Sequence, residues 1–415
     1  MYDYIIVGGG ISGLFCLQEL YKKKKHCTIL IIDDRSYWGG RLQTHKRPHY
    51  EIGGARFNDN HKLLLSLLKQ YKCHKVKLPS NTLFLHKTKD NMILPLHNVN
   101  ETLGNIMTNI VKKSKSYSKN TIQQYTLAQW IDYLSKEQLL SKKIKDIFGY
   151  DSEINEMNAY DALQSFQQDF ISNRFYVVKE GFSELCNKIY LKHKDNQNLS
   201  FLHKTLVTNV EKDTEHYKII TNTSKTFYSK NVIFALKASQ LKSFSILKPI
   251  HPKLKFIYSA PLLRIYAKYP KSSNNKVWFH DLPKIITNSF IRQIIPIDPN
   301  SGLIMISYTD NNDINPYWKD KKKQLLKSDP IIMNMIQKEL SILFPQASIP
   351  KPSYFKTHLW NIGCHHWKPG CDSKSIYNKI KNPLPNIYII GEAFSQKQAW
   401  VEGALETTKQ CIELC

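Results

Sequence analysis

Near the N-terminus, VGGGISGL sets Gly8, Gly10 and Gly13 in the spacing GxGxxG. The first glycine permits a tight turn, the second lets a pyrophosphate approach the backbone, and the third lets a helix pack close on its strand. Ile11 and Ser12 lie between the last two glycines and open the helix, whose N-terminus favours phosphate charge. Asp33 follows twenty residues after Gly13, at the end of the apolar run CTILIIDD, with Asp34 beside it. An acid there accepts hydrogen bonds from ribose hydroxyls and disfavours a 2′-phosphate. The chemistry written here is the binding of a dinucleotide.

Arginine use marks further positions. Lys and Arg number 59, and only seven are Arg: Arg35, Arg41, Arg47, Arg56, Arg174, Arg264 and Arg292. A chain so biased to Lys gains from Arg where a planar fork must give two fixed hydrogen bonds to a phosphate or carboxylate. Arg35 and Arg41 lie in IIDDRSYWGGRL, Arg56 in EIGGARF and Arg264 in PLLRIYAKY.

These side chains need a scaffold, and the apolar pattern supplies one. DYIIVGGG reads as a buried strand entering a glycine turn, ISGLFCLQELYKKKK as a helix, and CTILIIDD as a second strand, together one βαβ unit. From about 80 to 171 long helical patterns such as TLAQWIDYLSKEQLL dominate, with no strand alternation. FYVVKEGFSELCNKIYLKH returns to strand, glycine turn and helix. VTNVEKDTEHYKIITNTSKTFYSKNVIFAL reads as short strands with hairpins, 247–357 as mixed strands and helices, and NIYIIGEAF as a buried strand before a closing helix. The expected architecture is α/β with two domains. A Rossmann-type dinucleotide domain comprises 1–79, 172–246 and 358–415, and a mixed sheet-and-helix substrate domain is assembled from the insertions 80–171 and 247–357.

Composition excludes several classes. The chain has 415 residues, 42% hydrophobic and 12% aromatic, ample for a large core. No apolar stretch of about eighteen residues occurs, so no membrane span is expected. The opening residues lack a basic region and a long apolar core, so no signal peptide is read. The formal net charge is +25, but Lys is spread along the chain and interleaved with Asn and Ile. Nucleic-acid readers put Arg on base edges and cluster their charge. The charge is read as compositional bias, with nucleic acid bound by non-specific charge alone. The eight cysteines form no CxxC pair, and Cys364, His365, His366 and Cys371 fit no zinc spacing, so no metal is expected. Reduced thiols and a cytoplasmic location are expected; the Lys/Asn/Ile-rich composition suggests an AT-rich genome, of a large DNA virus or a protist, and a viral source would mean host cytoplasm or virion.

At IIDDRSYWGGRL the residues reach a known pattern. The stretch resembles the acid–x–Arg … Gly-Gly-Arg signature of the flavin-dependent amine oxidase superfamily, which includes monoamine, polyamine and L-amino-acid oxidases. EIGGARF resembles the segment beside the flavin ring, and EGFSEL the turn before the mid-chain helix. LVTNVEK with NVIFAL resembles the second nucleotide-contacting region, and IYIIGEAFSQKQAWVEGALET the C-terminal flavin motif. The resemblance implies FAD. Asp33, where the family usually has Glu, takes the ribose role, with Asp34 adjoining it. Arg35 falls near the adenosine, and Gly40 and Arg41 near the pyrophosphate. Gly53, Gly54, Ala55 and Arg56 pass beside the ring. Val207 pairs its backbone with adenine, and Gly391 and Glu392 meet the ribityl chain or pyrophosphate. Trp400 and Val401 open the last helix, whose N–H groups and dipole would favour negative charge at flavin N1–C2.

The same resemblance implies substrate positions. Arg56 stands where amino-acid oxidases carry the Arg that clamps a substrate carboxylate; the other reading is a structural contact to flavin or a neighbouring carboxylate. Arg264 stands where many relatives have a Lys that assists reaction with oxygen, with Lys268 the other counterpart. Trp400 and either His365 or Trp367 correspond to the aromatic walls of the substrate slot, and Trp360 matches an earlier family Trp. Cys364 is near the position of thioether attachment in monoamine oxidases; non-covalent FAD is expected, with the thioether as alternative. The function implied is oxidation of the C–N bond of an amine or amino acid, by hydride transfer to flavin N5 and reoxidation by O2 to hydrogen peroxide. The alternatives are an inert flavoprotein with a structural or nucleic-acid-associated role, and a flavin oxidase that desaturates C–C bonds.

Overall fold

A computed structural model describes residues 1–135, 139–170 and 174–415. The chain divides into two compact units, Met1–Leu78 with Ile171–Ser259 and Cys364–Cys415, and Pro79–Phe170 with Ala260–Gly363.

In the first unit Tyr2–Val7 lies at the centre of a seven-stranded sheet. Ile29–Ile32 and then Leu199–Leu202 extend it in parallel on one side. Thr226–Phe234 lies parallel on the other side and leads to the antiparallel strands His216–Thr221 and Val207–Asp213, while Ile387–Ile389 pairs parallel with the end of Thr226–Phe234. Central parallel strands are covered on both faces, which is why YDYIIV and ILII read as continuous apolar runs. Their residues alternate between two cores. Tyr4, Ile6, Ile29 and Ile31 face the helices Ile11–Lys23 and Val401–Leu414, whereas Ile5, Val7, Leu30 and Ile32 share a core with Leu247, Leu254 and Trp367. The unit runs past 246 to Ser259 because Leu247, Ile250 and Leu254 are buried in that second core. A small sheet of Phe57–Asn58, Phe175–Val178 and Lys75–Lys77 brings EIGGARF beside FYVV, with Phe57 opposite Tyr176 and Asn58 opposite Phe175.

The second unit has its own seven-stranded sheet, in the order Tyr354–Trp367, Ile257–Lys268, Leu303–Asp310, Gln293–Asp298, Lys284–Thr287, Thr82–Lys87 and Ile93–Leu96. The last two strands correct the expectation of helix alone after residue 80. TLFLHK buries Phe84 and Leu85, and its partner is Lys284–Thr287, in parallel. Thr82–Lys87 also pairs antiparallel with Ile93–Leu96 across the turn 88–92, a hairpin whose short, Pro-containing second strand carries little alternation. Helices Val99–Ser114, Leu127–Ser135 and Ala159–Phe170 close around Trp130. Residues 136–138, near the end of TLAQWIDYLSKEQLL, and the expected boundary at 171/172 lie outside the described residues. Among the described residues no helix is long and apolar enough to cross a membrane.

Candidate functional site

The glycine turn follows the first strand and is dictated by close approach. A Cβ at Gly8 would stand 2.5 Å from the carbonyl oxygen of Ala235, and one at Gly13 would overlap that of Gly8. At Gly10 a Cβ would meet nothing within 4 Å. The turn is thus packed behind and open at its middle glycine, where Ile11 and Ser12 begin the helix. The Gly9 N–H donates to Asp33 Oδ2 at 2.6 Å and the Arg35 N–H to Asp33 Oδ1 at 2.8 Å, so the strand-end acid is tied to the turn. Burial pushes the Asp33 carboxyl up, and those two N–H groups pull it down. Asp34 beside it is exposed. Thr205 N–H donates to the Asp33 carbonyl, which brings the segment before Val207 over the same acid; Val207 itself is buried at the start of its strand.

The GGR loop lies on this turn. Gly39 N–H donates to the Gly9 carbonyl, and Gly54 N–H to the Arg41 carbonyl, which joins Gly53, Gly54 and Ala55 to the same loop. Arg35 Nη1 donates to the Gly40 carbonyl at 2.8 Å and to the Tyr37 hydroxyl. Arg41 Nη2 is 2.7 Å from Glu392 Oε2, an ion pair between residues 351 positions apart. Glu392 follows Gly391 and collects four donors: Arg41 Nη2, His365 Nδ1, and the N–H groups of His365 and Ala399. Burial alone would raise its carboxyl; Arg41 and His365 hold it well below the usual carboxylate range.

The closing helix is anchored to the first one. Gly391 N–H donates to the Thr407 hydroxyl at 2.9 Å, and the Thr408 hydroxyl to the Ser12 carbonyl at 3.4 Å. Trp400 stands just before Val401 as its N-cap residue. Its ring is stacked on Phe175 with centroids 6.2 Å apart and 14° between planes, and His61 meets it edge-on at 4.9 Å. The Arg56 guanidinium lies 5.6 Å from the Phe175 centroid. Arg56, Phe175, Trp400 and His61 therefore form one group. Glu402, in the first turn of the closing helix, accepts the N–H groups of Leu63 and Leu64 at 2.9 Å each, and so caps the helix Lys62–Gln70 that follows His61. Burial lowers the His61 imidazole to about 4, with Lys397 adding to it, so it is neutral near pH 7.

Residues 11–411 match the family described as flavin containing amine oxidoreductase. The chain belongs to that family. Among known proteins it is 22% identical over 486 residues to an uncharacterized protein of Acanthamoeba polyphaga mimivirus, across 99% of this chain and 93% of that one. A stretch of 92 residues is 30% identical to the flavin-containing amine oxidase A of Bos taurus, covering 21% of this chain and 17% of that enzyme. Putrescine oxidase bound to putrescine shares the fold with a TM-score of 0.79 at 13% identity, over 99% of this chain and 98% of that one. A variant of putrescine oxidase redesigned in cofactor binding gives 0.78 at 14%, with the same coverage.

For a flavin-containing amine oxidoreductase the cofactor class is FAD, and the residues present fit it. The glycine turn is open at Gly10, an acid closes the second strand, and Arg35 and Arg41 lie on the adjoining loop. Two expected wall residues are placed otherwise. Trp367 is fully enclosed in the core, with its indole N–H donated to the Ser395 carbonyl, and has no face for a substrate. His365 is equally enclosed and bound to Glu392. The ring that faces Trp400 is Phe175, which pattern reading passed over because FYVV looked like any buried strand. His61, Glu402 and Lys237 were also missed. His61 and Lys237 lie outside the family motifs, and Glu402 lies inside the C-terminal one, where its type alone does not reveal that it caps the helix Lys62–Gln70.

In the second unit Arg264 stands in mid-strand opposite Tyr308, buried, with its guanidinium 4.8 Å from that ring. Burial works against its charge, and Tyr308, Tyr266 and Tyr150 hold it protonated. Lys268 lies at the end of that strand opposite Leu303, and Trp360 is half-buried in Tyr354–Trp367. Cys364 is partly exposed, with its sulfur 3.6 Å from His366 Nε2.

Proposed function

We propose that this protein oxidises the C–N bond of a small amine that carries a carboxylate, using non-covalent FAD as hydride acceptor and O2 as final acceptor. Flavin, when bound, supplies the hydride-accepting ring and its reoxidation by O2 to hydrogen peroxide. The chain's residues bind, orient and polarise. Gly10, Arg41 and the N-terminus of Ile11–Lys23 would hold the pyrophosphate, and Asp33 the ribose. The N–H groups that open Val401–Leu414 favour negative charge on a group lying against them. Trp400 and Phe175, stacked into one apolar wall, would orient a neutral amine lying against them, and Arg56 would hold its carboxylate.

The observation that carries this reading is the placement of Arg56 on the same ring that stacks with Trp400. One cation and one aromatic pair side by side suit a ligand with a carboxylate and an amine-bearing carbon. The net charge of +25 favours approach of such a substrate over a polyamine. A second reading, a simple diamine, draws on the putrescine-bound relative. Anaerobic mixing of the FAD-loaded protein with a panel of amino acids, monoamines and diamines separates the two. Bleaching of the flavin by amino acids supports the first reading; bleaching by diamines alone supports the second. No bleaching by any member contradicts both.

A further inference from the structure

Lys237 leaves the end of Thr226–Phe234, where the chain passes directly behind the glycine turn. Ala235 packs against Gly8, with its carbonyl oxygen 2.5 Å from where a Cβ would stand, and its N–H donates to the Val7 carbonyl. The carbonyl oxygen of Leu236 lies 3.8 Å from the corresponding point on Gly391. Lys237 therefore emerges between the first glycine turn and the turn before the closing helix. Its backbone N–H is bound to Gln240 Oε1, and the short helix Ala238–Leu241 starts there. Among the described residues no carboxylate lies within ion-pair distance of its ammonium group.

The charges around it are unbalanced. Arg35 and Arg41 face it from the loop after the second strand, Asp34 from the same loop, and His365 from the strand Tyr354–Trp367. Glu392 neutralises Arg41 at 2.7 Å, and Arg35 is committed to the Gly40 carbonyl and Tyr37. Asp34 is exposed to water, and His365 is kept neutral by burial despite Glu392. Lys237 is a half-buried cation that no carboxylate among the described residues pairs, beside a glycine turn that would admit a diphosphate. Burial, with Arg41 and Arg35 adding to it, lowers the Lys237 ammonium to about 8, and Asp34 opposes this only in part. A phosphate brought to the turn would supply the missing negative charge.

We infer that Lys237 is a phosphate-binding residue of the dinucleotide site, and that its protonation is coupled to cofactor binding. This rests on the FAD reading. The ammonium would donate to a pyrophosphate oxygen that Arg41, already paired with Glu392, only partly neutralises. The protonated form binds, so affinity is full below the lysine's titration and falls above it.

The test is titration of the full-length apoprotein with FAD, ADP and adenosine at about pH 7 and about pH 9.5, for the native chain, Lys237→Met and Lys237→Arg. For FAD and ADP the native chain should weaken about tenfold at the higher pH, as for loss of one charge-assisted phosphate contact. Lys237→Met should be about tenfold weaker at the lower pH and lose that dependence, and Lys237→Arg should bind tightly at both. Adenosine, which has no phosphate, should distinguish none of them. Lys237→Met that binds FAD and ADP like the native chain at the lower pH overturns the inference while leaving the FAD reading intact. Failure of the folded native chain to bind either ligand at any pH overturns both.

Discussion

At the residue scale the site depends on charges arranged around one carboxylate. Glu392 accepts from Arg41, His365 and two backbone N–H groups, and it is buried. Glu392→Gln should cost about 3 kcal/mol of apoprotein stability at neutral pH, because Arg41 and the donors lose a buried ionic partner. The fold holds this carboxyl below its ordinary 4.5, so the contribution is complete above that value and fades as pH falls beneath it. Urea unfolding at two pH values should show acid sensitivity in the native chain that the Gln variant has partly lost. Arg56→Met should raise KM for amino-acid substrates about thirtyfold and leave a monoamine of similar size nearly unchanged, since only the former loses a charged partner. Equal effects on both would assign Arg56 a structural role. Four arginines were legible because a Lys-rich chain seldom writes Arg; of these, Arg41 pairs with Glu392 and the Arg56 guanidinium lies by Phe175, whereas the buried Arg292, paired with Asp313, carried no motif. Phe175 and His61 were not legible, because a lone aromatic in a strand and a lone His before a helix look the same whether or not they face a ligand.

At the scale of elements, two helix starts are locked together. Glu402 on the closing helix caps Lys62–Gln70, and Thr407 holds Gly391. Glu402→Ala leaves the buried Leu64 N–H and the partly buried Leu63 N–H unsatisfied and should cost about 2 kcal/mol in denaturant unfolding. It should also shift Trp400 relative to His61, readable as a change in tryptophan fluorescence. The strand–glycine–helix units at both ends were legible because local pattern writes them: four consecutive apolar residues in ILII, then an acid. The strands Thr82–Lys87 and Ile93–Leu96 were not: they form a local hairpin across 88–92, but they are short, mostly half-exposed and interrupted by Pro95, so their alternation is weak. Likewise Trp367 matched a motif but serves the core, since the end of its strand is buried on both faces, His365, His366 and Trp367 alike. Motif spacing told which segments matter, and only packing told which side chains they present.

At the scale of the molecule, a formal charge of +25 acts on whatever approaches. For an amino acid, kcat/KM should fall several-fold as salt rises from about 0.05 to 0.5 M, because screening shortens the Debye length from about 14 to 4 Å. For a diamine it should hold or rise. The larger claim is that the first and last segments of the chain close on one dinucleotide. The core shared by the helices Ile11–Lys23 and Val401–Leu414, the ion pair of Lys409 with Glu19, and Arg41 on Glu392 are its structural basis. Its most direct test is the visible absorption of the purified, folded protein, before and after denaturation, with FAD added where none copurifies. Flavin absorption at one FAD per chain, released into the supernatant on denaturation, is the expected result. A folded, colourless protein that takes up no added FAD would contradict it.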